Sequence, residues 1–198
     1  HTAALGPHHE ITLKASTWML RLLHETNELV EAESFGRQAL KNCIAPEAGS
    51  SQVILVIGLE LSFLLGKLLF DLRQLKEADK LLGNAINGCK QLMPRHWVKL
   101  SATIFRGRVL VDLTRYNEAE QLLRPALEDA ITARGERHKL TLYARSFLAH
   151  LLSLTGRADE AISMSPVVEC TEVLGLTHWL TIYAQNIVST YSLVEGKK

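Results

Sequence analysis

The chain has 198 residues, of which 47% are hydrophobic and 6% aromatic, with 5 prolines. That is ample apolar material for a continuous core, and too little aromatic and proline for a β-sandwich or a proline-rich linker protein. With 22 basic and 21 acidic residues, the total charge gives no attraction to nucleic acid or an anionic membrane. Neither is expected as a partner, and any basic surface has to be local.

Cys43, Cys89 and Cys170 are odd in number and widely spaced, unlike a zinc site or a disulfide framework, and they point to a reducing, cytoplasmic setting. The opening His1-Thr2-Ala3 lacks the basic and apolar regions of a secretory signal. The missing initiator Met points to a processed chain or a piece of a longer one. Val53 to Leu72 has the length of a membrane span, but Glu60, Lys67 and Asp71 would be costly in hydrocarbon, so the stretch reads as a buried helix.

The informative feature is repetition. A Glu-Ala pair opens a helix at Glu31-Ala32, Glu77-Ala78, Glu118-Ala119 and Glu160-Ala161, at intervals of 46, 41 and 42 residues. A second marker begins at His9, His96, His138 and His178. Ala32, Ala119 and Ala161 each follow their histidine by 23 positions. Two markers in fixed register predict repeats near 9–46, 51–93, 95–135 and 137–175, with a final helix at 177–195.

Apolar steps of three and four residues, broken by Gly, Asn or Pro, make each repeat an A helix followed by a B helix. The first pair is predicted near Ile11 to His24 and Glu28 to Cys43, closed by an Ala45 to Ser51 linker. The second runs near Val53 to Leu72 and Leu75 to Leu92, with Ser51 in the histidine position and Met93-Pro94 as its stop. The third runs near Trp97 to Leu113 and Asn117 to Arg134, and the fourth near Lys139 to Leu154 and Ala158 to Leu174. Pro125 and Pro166 lie within the last two B helices, where bends are expected. Trp179 to Val194 matches an A helix with no B helix after it.

The register and the preceding histidine resemble the tetratricopeptide repeat (TPR) family, of the kinesin-light-chain type, over almost the whole chain. The family's small A-helix position reads Leu20, Gly66, Gly107 and Ala149, then Ser189 in the last helix. Its large B-helix position reads Gly36, Leu82, Leu123 and Ser165, and its small position seven after the alanine reads Ala39, Ala85, Ala126 and Val168. Leu20, Gly36 and Ser165 depart from the pattern. The resemblance implies an all-α, right-handed superhelical solenoid of about four helix-turn-helix repeats plus a final helix, forming one domain over 1–198.

It also implies a non-catalytic scaffold that takes a peptide or partner helix in a concave groove lined by A helices. In this register the groove carries Arg21, Lys67, Arg108 and His150 at one level, and Thr17, Phe63, Ile104, Ser146 and Asn186 beside them. Such cations would favour acidic side chains or a C-terminal carboxylate, with Asp71 and Asp112 placed to neutralise Lys67 and Arg108 internally. Two rival readings are assembly through the final helix, with Ile182, Ile187 and Tyr191, and a helical accessory part of a larger enzyme or sensor.

Reactive chemistry is not expected. His8-His9-Glu10 lacks the i, i+4 histidine pair of a zinc protease, and the marker histidines read as a structural position packing between repeats. The cysteines suit helix packing, no phosphate loop is present, and Trp97 and Trp179 read as filling repeat interfaces. No catalytic residue, metal or cofactor is assigned.

Overall fold

The computed structural model describes residues 5–44, 51–92 and 96–195, and the side chains within them up to 190. Helices α1 (Glu10–Glu25), α2 (Leu29–Ile44), α3 (Gln52–Asp71), α4 (Leu75–Leu92) and α5 (Trp97–Asp112) are followed by α6 (Tyr116–Arg134), α7 (Lys139–Leu154), α8 (Ala158–Met164), α9 (Val167–Leu174) and α10 (Trp179–Glu195). No strand occurs among the described residues. The chain forms two compact units, His1–Val109 and Leu110–Lys198, with the boundary inside α5. The predicted linker at 45–50 and the Met93-Pro94 stop lie outside the described residues.

The hairpin turns repeat as faithfully as the helices. Asn27, Arg73, Thr114 and Gly156, each five residues before its repeat alanine, all have positive φ, between 59° and 77°. One left-handed residue lets an A helix end and a B helix begin within a few residues. A second glycine position lies three residues before a marker histidine, at Gly135 (φ 86°, ψ 165°) and Gly175 (φ 89°, ψ 163°). That region of backbone space is open essentially to glycine alone.

Each marker histidine begins an A helix through a hydrogen bond. Nδ1 accepts the backbone N–H of Ile11 at His9, Leu140 at His138 and Leu180 at His178, at 3.1 to 3.2 Å. His96 accepts from Val98 at 3.4 Å. In the second repeat Ser51 Oγ takes the N–H of Val53, so serine replaces histidine without loss of the cap. The marker is therefore a helix-capping position, and at His96 it also meets the preceding repeat, with Nε2 3.8 Å from Glu60 Oε1. Thr141 and Thr181 extend it by donating to the carbonyls of Gly135 and Gly175 at 2.8 Å.

Ala32, Ala78, Ala119 and Ala161 are all fully buried. The first hairpin departs from the size pattern by exchange. A Cβ added at Gly36 would lie 3.0 Å from Leu20 and 3.1 Å from Leu65, whereas one at Gly66 would lie 2.9 Å from Leu82. The large side chain comes from the A helix in the first hairpin and from the B helix in the second. Two departures that look like erosion singly keep the helices close together.

The two prolines act differently. Pro125 is exposed and α6 runs through it unbroken. Pro166 is buried and separates α8 from α9, so the expected bend is an interruption. Arg145 Nε donates to the Met164 carbonyl at 3.2 Å, and Ser165 Oγ donates to the Ala184 carbonyl at 3.1 Å. Beyond the break Val168 is 65% exposed, contrary to a buried small position.

The helix α3 is long and apolar enough to cross a membrane by length and composition. Its hydropathy is accounted for by burial, since it packs against α1, α2 and α4 and ten of its residues are buried. On the B helices, ion pairs join neighbouring hairpins. Arg37 reaches Glu33 (2.8 Å) and Glu77 (2.6 Å) in the first unit. In the second, Glu120 and Glu160 are each paired with both Arg124 and Arg157. These sites are substantially exposed and screened by solvent, so each pair adds little alone, and the network more through its shared geometry.

Two predictions follow from capping and packing. Leu20→Ala should cost about 2–5 kcal/mol and Gly36→Leu about 1–3 kcal/mol, with the double variant less destabilised than their sum by about 1 kcal/mol or more. Urea unfolding of the four proteins measures that coupling, and strict additivity would refute the exchange. Burial first, and Arg134 second, hold His138 below its ordinary 6.5; burial and then Lys139 do the same at His178. The unfolded chain then binds more protons, so this stability is complete above about 6.5 and is lost as pH falls through the depressed folded values. The urea midpoint should fall between about pH 7 and pH 5, and fall less in His138→Ser/His178→Ser, whose caps do not titrate.

Candidate functional site

In the first unit, the A helices α1, α3 and α5 set three cations beside aromatic rings. Arg21 lies over Trp18 with its Cζ 5.2 Å from the ring centroid. Lys67 Nζ is 5.5 Å from the Phe105 ring, and Arg108 Cζ is 5.4 Å from the Phe70 ring. The last two contacts are reciprocal, α3 giving a cation to α5 and α5 returning one. All three cations are half-buried. Their rings hold the long side chains in place through cation–π attraction of about 0.5–1 kcal/mol each at exposed sites. Phe63 supports this layer, edge-on to Trp97 at 5.7 Å and to Phe105 at 5.8 Å.

The neighbouring row is more deeply placed than an open groove requires. Thr17, Phe63 and Ile104 are buried in the first unit, and Ser146 in the second. Each faces helix packing, so these four support the surface from beneath; Asn186 alone of that row is exposed. Asp71 Oδ2 lies 2.6 Å from His24 Nε2, so this carboxylate has a partner on α1 that sequence spacing did not suggest.

His150 belongs to the second unit and has a different setting. Its Nδ1 and the Tyr183 hydroxyl are hydrogen-bonded, with the rings edge-on at 5.3 Å. Tyr143 stacks on Phe147 at 5.9 Å and on Trp179 at 5.5 Å, and Lys139 Nζ lies 5.8 Å from the Tyr143 ring. The A helices here carry an aromatic cluster with His150 against Tyr183. Trp97 is half-buried and Trp179 half-exposed, so each serves helix contact with one side of its ring.

Sequence reasoning identified the cations and missed the rings. Phe70, Phe105, Tyr143 and Tyr183 sit on A helices near the cationic register, and that proximity was the available signal. Elsewhere the chemistry is quiet. Burial pushes the Cys43 and Cys170 thiols up to about 11 and raises Cys89, leaving them protonated and poor nucleophiles at neutral pH. Among the described residues no cluster of three His, Cys, Asp or Glu could hold a metal.

Residues 98–165 match the tetratricopeptide repeat family model. No curated protein matches the chain. Similar solved structures include two crystal structures of a putative kinesin light chain with nearly identical TPR-like repeats from Podosopora anserina. Both are 19% identical and cover 96% of this chain; they cover 89% and 90% of theirs, with TM-scores of 0.71 and 0.70. BtubC (BKLC) from P. vanneervenii is 14% identical over 95% of this chain and 81% of its own, with a TM-score of 0.66. Residues 98–165 thus match the tetratricopeptide repeat family, and nearly the whole chain shares the fold of solved TPR-like repeat structures, kinesin-light-chain-like ones among them.

Proposed function

We propose that the chain serves as one repeat domain and acts as a non-catalytic protein-interaction scaffold, holding an acidic peptide or partner helix on its A-helix face. The observation that carries this reading is the row of Arg21, Lys67 and Arg108, each held beside a ring in the first unit. A cation stacked on an aromatic face is restrained before a ligand arrives, which lowers the ordering cost of binding. Arginine is suited to a two-pronged grip on a carboxylate.

The buried Thr17, Phe63 and Ile104 act from below, stiffening the surface that carries the charges. In the second unit the exposed Asn186 offers hydrogen bonds suited to a peptide backbone. The free, buried cysteines fit a reducing, cytoplasmic setting.

Charge reversal at Arg21, Lys67 and Arg108 together should lower affinity for an acidic peptide by about tenfold or more while leaving the circular dichroism unchanged. Raising salt should weaken wild-type binding in parallel, since exposed charges are screened. Isothermal titration with an aspartate-rich peptide and its asparagine counterpart measures both effects. Equal affinity for the two peptides, or an unchanged triple variant, would remove the electrostatic basis of this reading.

A further inference from the structure

The cationic row of the first unit has an acidic one beside it. Four residues after Arg21 comes Glu25 on α1, and four after Lys67 comes Asp71 on α3. That step is one helical turn, about 5–6 Å along the same face. Glu25 and Asp71 are exposed, whereas the two cations are half-buried. Packing turns the two members of each step in different directions. Lys67 leans to α5, its Nζ 5.5 Å from the Phe105 ring centroid, and Asp71 leans to α1, where His24 Nε2 lies 2.6 Å from its Oδ2. The contact orients the carboxylate and leaves its second oxygen able to accept from a ligand. Arg21 is drawn back along its own helix to Trp18, Cζ 5.2 Å from the ring centroid, on the side opposite Glu25. Opposite charges one turn apart on α1 and α3 therefore lean apart.

We infer that the partner carries both signs of charge: a helix laid along α1 and α3 with an acidic and a basic side chain four residues apart. The acid meets Arg21 or Lys67, and the base meets Glu25 or Asp71. This rests on the A-helix face being the binding surface, and it narrows an acidic partner to a dipolar one. Two helices side by side rise by the same amount, about 1.5 Å per residue, so a four-residue step on one matches a four-residue step on the other. A ligand of acids alone would gain from the cations and lose against Glu25 and Asp71, because like charges set face to face are unfavourable. Selectivity then comes from repulsion as well as attraction. A parallel ligand helix needs its acid before its base, and an antiparallel one needs the reverse, so the preferred order reports the direction in which the helix lies.

Fluorescence anisotropy with labelled alanine-rich helical peptides tests the inference. One peptide carries two glutamates four residues apart, two others carry glutamate and lysine at that spacing in either order, and a control carries two glutamines. One of the two dipolar peptides should bind about fivefold tighter than the all-acidic one. Combining Glu25→Gln with Asp71→Asn should erase that preference, weakening the dipolar peptide while the all-acidic one binds as well or better. Both sites are exposed, and the asparagine keeps an oxygen for His24, so the circular dichroism should not change. An all-acidic peptide that binds wild type as tightly as either dipolar one, or a preference that survives the double variant, would overturn the inference and leave the acidic-ligand reading standing. Charged peptides that bind no better than the glutamine control would overturn both.

Discussion

The structure depends on how closely an A helix can approach its B helix. A hairpin of two amphipathic helices leaves an apolar face that it cannot bury alone, so each pair has to fit tightly and then be covered by a neighbour. Close approach needs a gap on one helix wherever the other presents a large side chain. The first two hairpins meet this requirement in opposite ways, Leu20 against Gly36 and Gly66 against Leu82. What persists is the combined size of the pair rather than the residue at either position.

The turns and caps serve the same end. A left-handed residue in each hairpin turn, a glycine ahead of α7 and α10, and a capping side chain at each A helix fix where helices begin and end. The cap accepts either imidazole or hydroxyl, as His138 and Ser51 demonstrate. Because an accepting Nδ1 must be unprotonated, histidine ties helix geometry to proton concentration in a way that serine does not. The interruption at Pro166 is held by Arg145 and Ser165, whose hydrogen bonds serve the carbonyls of Met164 and Ala184.

Much of the fold was legible because it is periodic. The repeat alanines, the marker histidines and the helix limits follow from spacing, and all four alanines are buried. Compensation was harder to read, since Leu20 and Gly36 look like separate losses until they are seen in contact. The depth of the second groove row was also hidden: one register position can be open in an ideal repeat and covered in a real one, as Ile104 and Ser146 are. Aromatic partners of the cations lie partly on neighbouring helices, so linear spacing within a helix does not pair Lys67 with Phe105. In the exchange of cations between α3 and α5, tertiary packing produced what local pattern could only suggest.

Function enters through the same packing. Phe105 and Phe70 lie against Lys67 and Arg108 from the neighbouring A helix, and Trp18 lies against Arg21 on its own helix, so on the proposed reading folding prepares the charges that a partner would meet. Amide chemical-shift mapping during titration with an aspartate-rich peptide tests this link most directly. The account predicts that the largest changes in the first unit fall on the A helices around Arg21, Lys67 and Arg108 and extend to Phe70 and Phe105 beneath them. Changes concentrated instead on the B helices, around Arg37 and Glu77, would contradict it.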